Sequence, residues 1–302
     1  MSRILKYVGI AFASVVGILV VCAAGLFAWT NRELSATVPV PTHAFTAPTG
    51  DSAVARGEHV TKALAKCGDC HGADYGGSMM VNDAAIGTIF APNITSGPGG
   101  RLANMTDADV ERAVRHGVTS DGRRLAIMPS SEYQTLSDND IGAIIAYLRS
   151  VPPVDRESVP LKFGPLARAL HVAGKMPWFP SDDVTHVAEV VGAPVADSTI
   201  EYGRYLATGG CAGCHGANYS GGPIHGAPPD WPHAANITPT GLQAKKYDYP
   251  GFVRALSEGI RPDGTAINPM MPVSATKLMT PVEMRALWLY IETVAPAETG
   301  VR

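Results

Sequence analysis

The sequence is poor in charge. Asp, Glu, Lys and Arg make up 17% of its 302 residues, the net charge is −3, and no run of Lys and Arg suited to a phosphate backbone appears. Nucleic acid is thereby excluded as a partner. Cysteine is scarce as well. Four of the five stand in two pairs, Cys67/Cys70 and Cys211/Cys214, and the fifth, Cys22, lies in an apolar N-terminal stretch. No thiol is left over for a disulfide framework. Convincing strand alternation is missing, which leaves helices and loops. Abundant instead are apolar residues at 46%, 32 glycines and 24 prolines. The length suits about two domains, with many turns between short elements.

Residues Tyr7–Trp29 carry no charge. As a helix they would span about 34 Å, enough to cross roughly 30 Å of hydrocarbon. Arg3 and Lys6 precede them, which predicts a cytoplasmic N-terminus by the positive-inside rule. Trp29 stands where an interfacial aromatic would. Everything beyond Asn31 is then expected on the periplasmic face of the inner membrane. The rival is a cleaved signal peptide, whose apolar core of about 7–15 residues is shorter than this run. Residues 31–50 hold Pro39, Pro41 and Pro48 and read as an extended tether, with His43 exposed.

The remainder repeats itself. CGDCHGADYGG (67–77) matches CAGCHGANYSG (211–221), PNIT (92–95) matches ANIT (235–238), and RAVRHGV (112–118) matches RALSEGI (254–260). Upstream, RGEHV (56–60) matches YGRYL (202–206); downstream, Met128–Pro129 matches Met271–Pro272 and IGAIIAYLRSV (141–151) matches MRALWLYIETV (284–294). The match is collinear, so the chain divides into an anchor (1–30), a tether (31–50), a first domain (51–154), a linker (155–196) and a second domain (197–302). Each copy reads as short helices: one before the CxxCH string, one over Thr106–His116 or Pro250–Glu258, and a last one capped by Ser137 or Thr280. Leu161–Lys175 in the linker suits a short amphipathic helix, and the rest of the linker reads as a strap.

Two CxxCH strings carry the chemistry. Two thiols two residues apart can add across the two vinyl groups of one haem, and the next His then reaches the iron as proximal ligand. Cys67, Cys70 and His71 are expected to hold one covalent haem c, and Cys211, Cys214 and His215 a second. Zinc would need a closed ligand set in each copy, which four soluble cysteines do not complete. A dithiol redox site would leave the repeated His without a role. An electron-carrying iron also needs a sixth ligand, and Met raises its potential. Met128 lies 57 residues after His71 and Met271 lies 56 after His215, both before Pro. They are the expected axial pair. Met79 and Met80 follow His71 too closely; Met105 has no such register; Met270 is the rival of Met271. His116, His225 and His233 lack counterparts and, with His59, His171 and His186, read as surface or pocket residues. Arg101, Arg123 and Arg124 are candidates for propionate contacts or plain surface.

These motifs resemble class I cytochrome c domains. More closely, the chain resembles the tandem cytochrome c subunits of periplasmic membrane-bound dehydrogenases of the alcohol and gluconate type, on CxxCHG, the PNIT/ANIT segment, and DG…MP before a terminal helix. The resemblance implies an all-α fold of two tandem class I domains after a transmembrane helix. It implies terminal helices crossing at a Gly/aromatic contact, here Gly57 with Tyr147 and Gly203 with Tyr290. It implies a backbone carbonyl from a Pro loop on the proximal His, which Pro92 supplies in one copy; its counterpart is Ala235, so the second pocket would use Pro228 or Pro229, or differ. The family's haem-edge Trp is replaced by Met105 and Tyr247. Those subunits usually carry three haems, against two motifs here.

The function expected is electron transfer without substrate chemistry, as subunit or partner of a membrane dehydrogenase, a quinol-oxidising complex or a terminal oxidase. The acidic, Trp-rich segment that follows the anchor in cbb3-type oxidase cytochromes is not evident. The alternative is a dihaem enzyme of the peroxidase or thiosulfate dehydrogenase type, which needs an open or labile iron position.

Overall fold

A computed structural model describes residues 3–41, 44–186, 192–227 and 230–301; His43, Pro228 and Pro229 lie outside the described residues. Helix α1 (Arg3–Ser35) is unbroken. It is roughly 50 Å long at about 1.5 Å per residue. It is long and apolar enough to cross a membrane, and none of its most apolar 18 residues is buried.

The first copy starts with α2 (Asp51–His59), which widens into a π turn over Val60–Leu64. There follow α3 (Cys67–His71), strands β1 (Ser78–Asp83) and β2 (Gly87–Ala91), and α4 (Asp107–Glu111), which runs on as a second π turn over Arg112–His116. Helices α5 (Ser130–Tyr133) and α6 (Asp138–Ser150) complete it. The linker adds β3 (Lys162–Phe163) and α7 (Pro165–Val172). The second copy holds α8 (Ile200–Gly210), α9 (Ala212–His215), α10 (Pro239–Ala244), α11 (Tyr249–Glu258), α12 (Val273–Thr276) and α13 (Pro281–Ile291). Hydroxyls start the main helices, Ser137 and Thr280 as expected and Thr106 and Thr199 besides: each accepts a backbone N–H of the first turn.

In each copy the first and last helices cross with their backbones in contact. A Cβ added to Gly57 would stand 1.8 Å from the Ala143 carbonyl oxygen and 2.8 Å from Tyr147 Cβ; one added to Gly203 would stand 2.0 Å from the Ala286 oxygen and 2.7 Å from Tyr290 Cβ. The two tyrosines continue the match. Tyr147 meets Tyr75 edge-on at 5.8 Å, and Tyr290 meets Tyr219 likewise at 5.8 Å. Buried residues of both copies, from Val60 to Ile291, form one contiguous cluster.

The structure departs from the sequence reading in two places. A small three-stranded antiparallel sheet, ordered β1-β2-β3, stands where no strand was expected. A bulge between Met79 and Val81 breaks the register of β1, and its two methionines are both exposed, so the period-2 signal is lost. The tether is extended but fixed: Thr37 pairs with Arg123, Val38 N–H donates to Gly122 O at 2.9 Å, Ala47 N–H donates to Asp107 at 2.9 Å, and Phe45 packs on the core. The linker's strap lies over the first copy, where Trp178 stacks on Phe163 at 3.8 Å beside Ile89, Ala167 and Phe179.

Overpacking a helix crossing cannot be relieved by a rotamer change when the obstacle is backbone. Gly203→Ala is therefore expected to destabilise the second copy by about 3 kcal/mol or more, read as an earlier unfolding transition in denaturant. An unchanged midpoint would contradict the contact.

Candidate haem sites

The one-turn helix α3 places Cys67 and Cys70 three residues apart, hence on one face, with His71 at its end. Helix α9 repeats this with Cys214 and His215, and Cys211 stands as its N-cap. All four thiols are free rather than paired as disulfides. Gly72 and Gly216, both at φ +81°, turn the chain sharply after each His, a conformation that favours glycine. The His carbonyls then accept Gly77 N–H at 2.8 Å and Gly221 N–H at 2.9 Å.

Both imidazoles are buried, each 8% exposed. His71 Nδ1 lies 2.8 Å from Pro92 O, and His215 Nδ1 lies 2.7 Å from Ala235 O. A carbonyl oxygen only accepts, so Nδ1 carries the proton and Nε2 keeps its lone pair. Burial pulls both pKa values below that of an ordinary histidine, with the carbonyl bond opposing, so the rings are held neutral. A neutral imidazole with a fixed tautomer is what an iron ligand requires. The residues therefore fit covalent haem c: unpaired thiols on one turn, and an adjacent ring nitrogen with no other bond among the described residues.

The second pocket thus needs neither Pro228 nor Pro229. The acceptor is main chain, and Ala235 supplies it as well as Pro92 does. What fixes the loop is the next residue. Asn93 Nδ2 donates to Val154 O at 2.9 Å and Arg156 O at 3.1 Å, while its Oδ1 accepts Thr95 N–H and O–H. Asn236 does the same with Ala297 O at 2.7 Å and Thr238. The repeated Asn-Ile-Thr carried this signal, but its job is visible only in three dimensions.

Met128 and Met271 occupy equivalent backbone positions. Each carbonyl accepts the N–H two residues on, from Ser130 at 2.8 Å and Val273 at 2.7 Å, and each precedes the proline that starts α5 or α12. Met128 packs against the core cluster, whereas Met79 and Met80 lie exposed on β1 and Met270 is 44% exposed. Met105 is half-buried, its carbonyl accepting from Arg149 at 2.9 Å, and burial pushes the Tyr247 phenol up in pKa. Arg123 and Arg124 pair with Asp121 and Asp182, and Arg101 is exposed. His225 and His233 are exposed, while buried His116 meets His186 at 3.1 Å.

Residues 200–295 match the cytochrome c family, and residues 52–148 match the family described as cytochrome c oxidase, cbb3-type, subunit III. Each repeat is a cytochrome c domain. Two such domains carry two covalently bound haem c groups. The chain is 33% identical over 182 residues to the cytochrome c subunit of a quinone alcohol dehydrogenase of Gluconacetobacter polyoxogenes, covering 56% of this chain and 37% of that protein. It is 32% identical over 173 residues to a gluconate 2-dehydrogenase cytochrome c subunit of Pantoea cypripedii, covering 55% and 38%. It therefore spans little more than a third of the length of these relatives. A diheme cytochrome c-type protein of Cereibacter sphaeroides matches end to end, at 27% identity over 93% of this chain and 96% of its own.

The two cytochrome c domains contact each other reciprocally, through matching residues. In the first, Arg56 holds Asp140 at 2.8 and 2.9 Å; in the second, the matching Tyr202 donates to Glu283 at 3.2 Å. Across the interface His59 Nε2–H donates to Glu283 at 2.8 Å, and its counterpart Tyr205 donates to Asp140 at 2.6 Å. His59 is thus an interface residue, contrary to its reading as surface. Near the motifs, Glu132 of α5 presses on the second domain: a Cβ on Gly213 would stand 2.3 Å from Glu132 Oε1. Conversely α12 packs on the π turn that leads into Cys67. Each attachment segment therefore borders the stretch that follows the other domain's Met. Glu132 carried no sequence signal, because nothing in the second copy matches it.

Burial works against the Glu283 carboxylate, but bonds from His59 and Thr280 outweigh it and hold its pKa below the ordinary 4.5. A depressed carboxylate stabilises the fold above its ordinary pKa and loses that contribution as pH falls through its folded value. The stability gap between the protein and its Glu283→Gln variant is expected to be full at pH 6–7 and to shrink below about pH 4.5. Denaturant unfolding across pH tests this, and a gap independent of pH would contradict it.

Proposed function

We propose that the chain is a membrane-anchored dihaem electron carrier on the periplasmic face, acting as subunit or partner of a membrane dehydrogenase. The matched backbone of the two sites, each with a neutral His and an equivalently placed Met, carries this reading. Cys67 and Cys70 would attach one haem, with His71 and Met128 as the residues that would hold its iron. Cys211 and Cys214 would attach the other, with His215 and Met271. Haem c, when bound, supplies reversible one-electron chemistry. The protein's part would be to supply a His and a Met to each iron, keep the imidazoles neutral, and hold the two domains (51–154 and 197–302) together so that their sites border a shared interface. A His and a Met on each iron would leave no position for substrate, which favours electron transfer over a peroxidase or thiosulfate dehydrogenase activity. The likeness to dehydrogenase cytochrome subunits supports a dehydrogenase partner; the family match of residues 52–148 keeps a terminal oxidase as the second candidate. Proteins that copurify from solubilised membranes decide between them.

The resting protein is expected to hold two low-spin haems with different midpoint potentials. Met105 in one copy corresponds to Tyr247 in the other, and Lys66 before Cys67 corresponds to Gly210 before Cys211, which makes their surroundings unequal. Met128→Ala and Met271→Ala should each convert half of the low-spin signal to high spin and lower one midpoint only. A resting high-spin haem, a single two-electron wave, or a Met variant without spectral effect would overturn the assignment.

A further inference from the structure

Helix α7 is built inside out for a surface helix. Its inward face carries its polar groups. Arg168 is buried; Nε donates to Phe163 O at 3.0 Å, Nη1 donates to Thr30 Oγ1 and to Asn31 Oδ1 at 2.9 Å, and its guanidinium lies 4.4 Å from the Phe27 ring. His171 Nε2 meets Glu33 at 3.1 Å. All of these partners but Phe163 lie on the last turns of α1. The outward face is Pro165, Leu166, Ala169, Val172 and Ala173, all exposed and none polar. Leu166 is 47% and Val172 55% exposed. Positions spaced by three and four form one stripe. A water-facing stripe would be polar; an apolar one marks a surface that something covers.

What covers it follows from where α7 is bolted. Thr30 and Asn31 come directly after Trp29, which closes the apolar stretch and is itself 63% exposed. Trp at the end of a span sits at headgroup level. Arg168 fixes α7 to that same level. Exposed Lys162 and Lys175 flank the helix, where long cationic side chains reach phosphate while their stems stay in apolar surroundings. Exposed Val159 and Leu161 extend the apolar surface toward β3.

We propose that α7 is an interfacial helix whose outer stripe lies in the headgroup–acyl boundary of the bilayer that α1 spans, fixing the height and tilt of the first cytochrome domain. This rests on the membrane-anchored reading above. The test uses full-length holoprotein with Cys22→Ala, reconstituted in phospholipid nanodiscs, with one nitroxide at a time on Leu166→Cys, Val172→Cys, Val15→Cys within the span, or Glu292→Cys at the exposed end of α13. Accessibility to oxygen and to a water-soluble nickel chelate is measured at each. Leu166 and Val172 are expected to fall between Val15 and Glu292, at a depth of about 5–10 Å. If both match Glu292 while Val15 is in lipid, the anchor stands and the interfacial helix is refuted, including the case of a protein partner that normally covers the stripe. If Val15 is also water-exposed, the anchored reading falls and this inference with it.

Discussion

In each domain two helices touch where one of them has no side chain. Gly57 lies against the carbonyl of Ala143, and Gly203 against that of Ala286. At that separation the crossing is fixed by backbone and cannot slide by a rotamer change. The rest of each site hangs from it. One helix of the pair leads into the CxxCH turn; the other follows the Met-Pro segment. Locking the pair therefore sets where the proximal and distal segments stand relative to each other, before any cofactor is considered.

The same pair makes the interface between domains. Asp140 and Glu283 sit in the first turns of α6 and α13, one turn ahead of the glycine contacts, and each is bonded both within its domain and across to the other. These buried carboxylates are costly unless fully partnered, and breaking one partner leaves a charge uncompensated. The interface is thus specific rather than merely adhesive. It brings Glu132 against Gly213 and α12 against the π turn, so the two attachment motifs border one another's domains.

Much of this was legible in the sequence because it is written in side chains. The CxxCH strings, the Met-Pro register, the capping hydroxyls at Ser137 and Thr280, and the glycine–tyrosine pairs all repeat with the period of the duplication. What was illegible is carried by main chain or by a single copy. Pro92 and Ala235 each present a main-chain carbonyl that accepts the His Nδ1–H, so a sequence difference that suggested two kinds of pocket has no effect on the hydrogen bond. The sheet was hidden by a bulge and by exposed Met79 and Met80. The π turn has a plainer cause. The first copy holds two more residues than the second between its paired glycine and its first cysteine. A turn closed five residues apart, Ala65 N–H to Val60 O at 2.8 Å, with Lys66 left-handed at φ 53°, absorbs the excess and returns Cys67 to register.

The asymmetry between the copies then has a direction. Strands β1 and β2 of the first domain join β3, α7 and the Phe163–Trp178–His171 stack of the linker in a second cluster without counterpart in the other copy, against which Leu34 of α1 packs while Glu33 meets His171. The tether adds Thr37 and Val38 on Gly122 and Arg123. The first domain is therefore joined to α1 as one packed body. The second is tied to the first through the Asp140 and Glu283 contacts. Its orientation depends on the buried carboxylates of the interface, whereas that of the first depends on Arg168 and its neighbours. Two nearly equivalent domains are thus held by different physical means, one set by its place beside the anchor and the other by its twin.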